Sequence, residues 1–433
     1  MQVTSSASTL SLALTMAFAA MLVLGLLVRL WLMSRQIRHV AHHRRQVPLA
    51  FAGTINLASH QKAADYTIAK ARLGLLEASW AAVIVVGWTL LGGLGLLNQA
   101  LSTWLMSDEM GQQLALLVAF VLINGLLELP ISLYQTFVLE QRFGFNKTTL
   151  TLWLIDLAKS SLVAALLGLP IATLILWMMG AAGAMWWLWA WGVWMVFNLL
   201  VLWLFPSFIA PLFNRFTALQ DEALKARVTA LMKQCGFAAQ GLFVMDGSRR
   251  SAHGNAYFTG FGTSKRVVFF DTLLAKLSID EVLAVLAHEL GHFRHRHIQR
   301  RMLVLFAMSL VGFALIGWLA TQPWFFTGMG VQPNLAGPND GLALLLFLQV
   351  VPVFSFFIAP VLAWSSRRDE FQADAFAKTQ TDGAHLSAAL LKLYDDNSAT
   401  LTPDPLYVSF FYSHPPAAER LGRLAESTAK AGA

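Results

Sequence analysis

Residues 288–292 read His-Glu-Leu-Gly-His, inside the longer stretch VLAHELGHFRHRH. On a helix, positions i and i+4 share a face. The imidazoles of His288 and His292 can therefore reach one Zn2+, with the Glu289 carboxylate beside them as a base for a water held there. The pentapeptide alone also describes a surface helix with two solvated histidines. Zinc needs a third protein ligand, and that ligand decides the case.

His295 lies on the same helical stripe, but it stands seven residues from His288, about 10.5 Å along the axis. Two Zn–N bonds of about 2.1 Å do not close that gap while His292 also binds. His297 points to another face, and both are expected as polar residues at a membrane surface. A better source is SSRRDEFQADAFA, residues 365–377, where Glu370 and Asp374 stand i,i+4. One of these carboxylates can bind metal while the other orients an imidazole N–H. The spacing does not say which does which.

The elements that must position these groups are partly legible. Ser278 to Glu281 forms a capping box that starts the histidine-bearing helix, and Val282, Leu283, Leu286 and Leu290 give it a packed face. Before it come a helix around 219–235 and strand-like runs at 241–246 and 265–271. After 365 the chain reads as helical, broken at TPDP and SHPP.

The rest of the chain cannot be soluble. Of 433 residues, 57% are hydrophobic and 13% charged, with mean hydropathy +0.58, where a soluble domain carries about 25% charged residues. Seven apolar stretches approach the roughly 20 residues needed to span a bilayer: 10–33, 75–101, 113–135, 160–180, 183–205, 302–322 and 341–364. The first is a retained span, since its flank carries no positive charge. The segments 1–9, 102–112, 181–182 and 323–340 hold none of the 31 Lys and Arg residues, whereas 206–301 alone holds thirteen. That alternation predicts an external N-terminus, with the zinc site and C-terminus cytosolic. The basic balance thus reports topology and contact with membrane lipids, not nucleic acid. The single cysteine, Cys235, excludes an internal disulfide. Glu128, inside the third span, is either a paired structural carboxyl or the lining of an internal cavity.

The expected fold is an all-α multi-pass membrane protein of seven transmembrane helices with a small cytosolic α+β insert bearing the H-E-x-x-H helix. Its regions divide as 1–205 (five spans), 206–301 (the insert), 302–364 (spans six and seven) and 365–433 (a cytosolic helical region with the third ligand).

HELGH, SRRDEFQADAFA and YSHPPAAERL, in this order, resemble the type I CAAX prenyl proteases, integral-membrane zinc metallopeptidases. HGNAYFTGF, KRVVFFDTLL, LYQTFVLEQRFGFNKTT and FIAPLFNRFT match as well. The resemblance implies seven helices enclosing a chamber and one Zn2+ per chain. It implies His288, His292 and Glu370 as ligands, Glu289 as general base and Asp374 behind the ligands. His414 and Arg420 would stand near the metal as stabilisers of the oxyanion, in shares the sequence leaves open. Asn255, Ala256 and Tyr257 would form the edge along which a peptide lies. The implied substrate is a prenylated C-terminal peptide, trimmed by three residues; no partner subunit is implied. Two other readings remain: a membrane quality-control zinc protease without prenyl specificity, and a non-enzymatic metal transporter or sensor. A transporter should carry its ligands at mid-membrane, whereas these cluster at the edge of the spans.

Overall fold

Apolar runs of this length satisfy their backbone only as helices. In the computed structural model, which describes residues 2–105, 109–237, 241–259, 266–334 and 337–429, seven helical segments are long and apolar enough to cross a membrane. The N-terminal half contributes α1 (Gln2–His43), α2 (Leu57–Trp88), the short α3 (Gly93–Trp104), α4 (Glu109–Tyr134), α5 (Leu150–Ala181) and α6 (Trp186–Leu204). The second crossing differs from expectation. Its helix begins at Leu57, far ahead of the apolar run, and stops at Trp88. The run predicted as 75–101 is cut in two: the first helix is capped at Thr89, and Gly92, in a left-handed conformation at φ +75°, starts the next.

The polar insert holds α7 (Glu222–Gln234), capped by Asp221, and a four-stranded sheet. Strands β1 (Phe216–Ala218), β2 (Gly241–Met245), β3 (Ala256–Thr259) and β4 (Arg266–Phe270) are ordered β1-β2-β4-β3. β2 runs parallel to β4, and β3 pairs antiparallel with β4, so β3 is an edge strand. Of the second strand-like run, Lys265 lies outside the described residues, as do residues 260–264 of the family-like stretch.

Helix α8 (Ile279–Arg294) starts at the expected capping box, with Ser278 and Glu281 bonding each other's backbone. It is followed by α9 (His297–Leu319), the sixth crossing. The seventh comprises α10 (Asp340–Ser355), a tight turn at Phe356–Ile358, and α11 (Ala359–Gln380), which carries the chain on into the polar region. α12 (Gly383–Asp396), α13 (Pro405–Phe411) and α14 (Ala417–Ala429) complete the chain.

Two main apolar cores result. One lies among the spans and includes Phe18, Leu116, Leu176, Phe325 and Leu346. The other unites the sheet with α8 and α12 through Val228, Phe269, Leu286, Leu290 and Leu390. α11 continues the membrane crossing and joins the second core at Ala377. A side chain on α11 can therefore be held against one on α8.

Candidate metal centre

The contact between α8 and α11 sets the site. Gly291, the glycine of HELGH, faces Ala373 so closely that a Cβ there would stand 2.9 Å from the Ala373 Cα. Only glycine permits this approach. His288, about a turn before Gly291, and the adjacent His292 on α8 then meet Glu370 and Asp374 on α11.

His288 Nε2 and His292 Nε2 lie 3.3 Å apart, and Glu370 oxygens lie 3.4 Å from each. Donors on a tetrahedron with bonds of about 2.1 Å stand about 3.4 Å apart. The three groups thus have zinc spacing, and among the described residues they form the one cluster able to hold a metal ion. The buried Glu370 Oε2 has no hydrogen-bond partner, which fits an atom reserved for a cation rather than a proton donor.

The tautomers agree. His288 Nδ1 lies 2.8 Å from Asp374 Oδ1, an acceptor only, so Nδ1 carries the proton and Nε2 keeps its lone pair. His292 Nδ1 lies 3.0 Å from His297 Nδ1, and His297 Nε2 lies 2.9 Å from Gln372 Oε1. If His297 donates from Nε2 to that amide oxygen, its Nδ1 accepts the proton of His292, and His292 Nε2 is again free.

His297 therefore departs from expectation. It is buried at 2% exposure, not a polar residue at the surface. The periodicity failed because the chain is not one helix there. α8 stops at Arg294, Arg296 takes a left-handed φ of 56°, and α9 restarts with His297 turned inward against His292. Nothing in the motif marks that break, since no glycine or proline interrupts residues 293–301. His295 is exposed and outside the cluster, as its reach required.

Arg420 is buried and grips Asp374 with two nitrogens, at 2.8 and 2.5 Å, with Glu370 Oε2 3.7 Å away. His414 stays open to the cleft. Its Nε2 lies 3.5 Å from Glu370 Oε1, and its Nδ1 is 3.0 Å from the Ser413 hydroxyl. Glu289 faces the same cleft. Burial pushes its carboxyl upward from the ordinary range, opposed by the two histidines.

The cleft encloses about 600 Å3 and is also lined by Asn255, Ala256 and Tyr257. Asn255 is exposed at the start of the edge strand, and its Oδ1 accepts the N–H of Ala256 at 2.8 Å. Away from the centre, Arg29, Asn124 and Glu128 line a separate cavity among α1, α2, α4 and α10. This answers the question Glu128 posed, in favour of a cavity lining.

Comparison with known proteins follows the same lines. A family model described as the CAAX prenyl protease N-terminal region of five membrane helices matches residues 36–215, and one described as peptidase family M48 matches residues 218–428. CAAX prenyl protease 1 of Saccharomyces cerevisiae is 37% identical over 337 residues, covering 74% of this chain and 73% of its own. A Mus musculus CAAX prenyl protease 1 homolog is 30% identical over 455 residues, 94% of this chain and 95% of that one. The crystal structure of S. mikatae Ste24p superposes with a TM-score of 0.89 at 31% identity, over 95% of this chain and 99% of that chain.

Proposed function

Since the chain belongs to the CAAX prenyl proteases of peptidase family M48, and is thus a multi-pass membrane zinc metalloendopeptidase, we propose that it cuts peptides laid along β3. In this reading His288, His292 and Glu370 hold the metal and Glu289 is the general base. The observation that carries it is the trio of donors at tetrahedral spacing, in the wall of a cleft shared with Glu289 and an edge strand.

Bound there, zinc supplies a Lewis acid that polarises the scissile carbonyl and acidifies water. Glu289 accepts the proton of the attacking water and delivers it to the leaving amine. The edge of β3 from Asn255 to Tyr257 binds the substrate main chain as an added strand, which aligns the bond without demanding a particular sequence. The charge developing on the carbonyl oxygen falls to His414, whose Nε2–H is free when Ser413 donates to its Nδ1. Arg420, engaged by Asp374, is a positioning residue: it fixes the carboxylate that fixes His288. His297 does the same for His292.

The relatives are named for prenylated CAAX substrates, and we assign this chain the same class: removal of the C-terminal tripeptide from a lipid-modified peptide. Beside its polar members, the cavity among α1, α2, α4 and α10 is lined by Leu22, Ala81, Val85 and Val353, which give a lipid tail a place to lie. The alternation of basic segments supports an external N-terminus with the centre on the cytosolic side.

The test is purified protein carrying Glu289→Gln. Cleavage is expected to fall by about 10²–10⁴-fold while one zinc per chain remains bound. Unchanged cleavage would remove Glu289 from its role. Prenylated and unprenylated peptides, with products read by mass spectrometry, test the substrate class.

A further inference from the structure

The cleft has two unlike ends. Past His292 it reaches Ile298, Arg301 and Ser366. Arg301 is exposed there, with its guanidinium 3.2 Å from the Ser366 hydroxyl. At the other end Tyr394, Asn397, Ala399 and His414 line both the cleft and a second cavity of about 470 Å3. The far wall of that cavity is α2, including Thr67, Lys70, Gly74 and Glu77.

Lys70 is the unusual member. Its ammonium stands 5.1 Å from the centroid of the Tyr66 ring, and among the described residues it forms no ion pair. Glu77 shares the wall but lies seven residues on, about 10.5 Å along the helix. The other cation near this end, Arg420, is already engaged by Asp374. Lys70 is exposed on this wall. Its ammonium is therefore open to an anion entering the second cavity.

We propose that Lys70 binds the free C-terminal carboxylate of the peptide being cut, and so sets how far from the chain end cleavage falls. The inference rests on the reading that the chain removes a C-terminal tripeptide. Three extended residues span about 10 Å. With the scissile bond at the metal centre, the carboxylate then lies beyond Tyr394 and Asn397, in the second cavity. The division of the cleft agrees. The short end of a substrate can be enclosed in a cavity, whereas the long N-terminal end must leave past the exposed Arg301.

Two peptides differing only in a C-terminal acid or amide test this, each assayed on wild type, Lys70→Met, Lys70→Glu and Arg301→Met. A charge-assisted contact is worth about 1.5–3 kcal/mol, so wild type is expected to prefer the acid by roughly 10–100-fold in kcat/KM. Lys70→Met should cut both peptides within about twofold of each other, and Lys70→Glu should favour the amide. Wild-type zinc content and melting temperature in Lys70→Met show that the fold is intact. An acid preference that survives Lys70→Met and disappears in Arg301→Met overturns the assignment and reverses the direction of the peptide. A wild type that removes the tripeptide from both equally sinks the Lys70 inference and leaves the protease reading standing. A wild type that releases no tripeptide from either peptide sinks both.

Discussion

Two walls enclose the cavities, and they treat charge in opposite ways. Between α8 and α11 the two carboxylates of α11 that meet the histidines are partnered: Asp374 meets His288 and Arg420, and Glu370 lies within 3.4 Å of two histidines. Backbones there approach until only glycine fits at Gly291. The other wall, built by α1 and α2 along the neighbouring cavities, presents Arg29 over the Phe356 ring, Lys70 over the Tyr66 ring and Glu77 with no ion pair among the described residues. Gly25 there is roomy, and a Cβ on it would meet nothing nearer than a Phe356 carbon at 3.6 Å. One wall spends its packing on holding a few atoms in place. The other leaves space and uncommitted charge, as a surface that must accept a substrate should.

The sharpest way to break this contrast is to remove a charge from each wall. Asp374→Asn strands the buried Arg420 and loosens His288. Zinc affinity, read by chelator competition, is expected to drop by about 10–100-fold, with a clearly lower melting temperature. Lys70→Met on the other wall should leave both unchanged. Equal losses from the two variants would mean that the walls do not differ.

A smaller effect is expected from adding one methyl group to each wall. Gly291→Ala gains helix propensity of about 1 kcal/mol, but its Cβ meets backbone at 2.9 Å, and overpacking costs about 1–3 kcal/mol. A lower melting temperature and weaker zinc binding should follow. Gly25→Ala should be neutral or stabilising by the same thermal measurement.

The smallest expected effect lies at the start of α8. Burial pushes the Glu281 carboxyl up, but bonds from the Lys392 ammonium and the Ser278 N–H more than offset this and hold it below its ordinary value. A lowered carboxyl stabilises the fold fully at neutral pH and loses that contribution as pH falls through the acid range. Because Lys392 is half-exposed, we assign Glu281→Ala a cost of about 1 kcal/mol, mostly the lost cap. The difference in melting temperature from wild type should be present at pH 7 and narrow towards pH 4. A constant difference would place the effect in packing instead.

How much of this was legible depends on the distance over which each contact acts. His288, Glu289 and His292 were readable because helical periodicity is local, and the capping box fixed where that helix begins. Seven crossings followed from composition, since bilayer thickness dictates length. The second crossing was misplaced because hydropathy does not register where a polar helix continues into an apolar one, or where the run is cut between Thr89 and Gly92. His297 was lost to the assumption that one helix continues past Arg296.

The sequence by itself determined which residue types could bind zinc, and that the chain lives in a membrane. It also narrowed the third ligand to two carboxylates one turn apart. Only the tertiary structure decided between them, because Glu370 and Asp374 share a helix face. What separates their roles is the offset of that face against α8, set by the contact of Gly291 with Ala373. That offset brings Glu370 to the Nε2 atoms and Asp374 to the far nitrogen of His288. Such a register arises from two surfaces packing some 80 residues apart along the chain, and no local pattern in either helix encodes it.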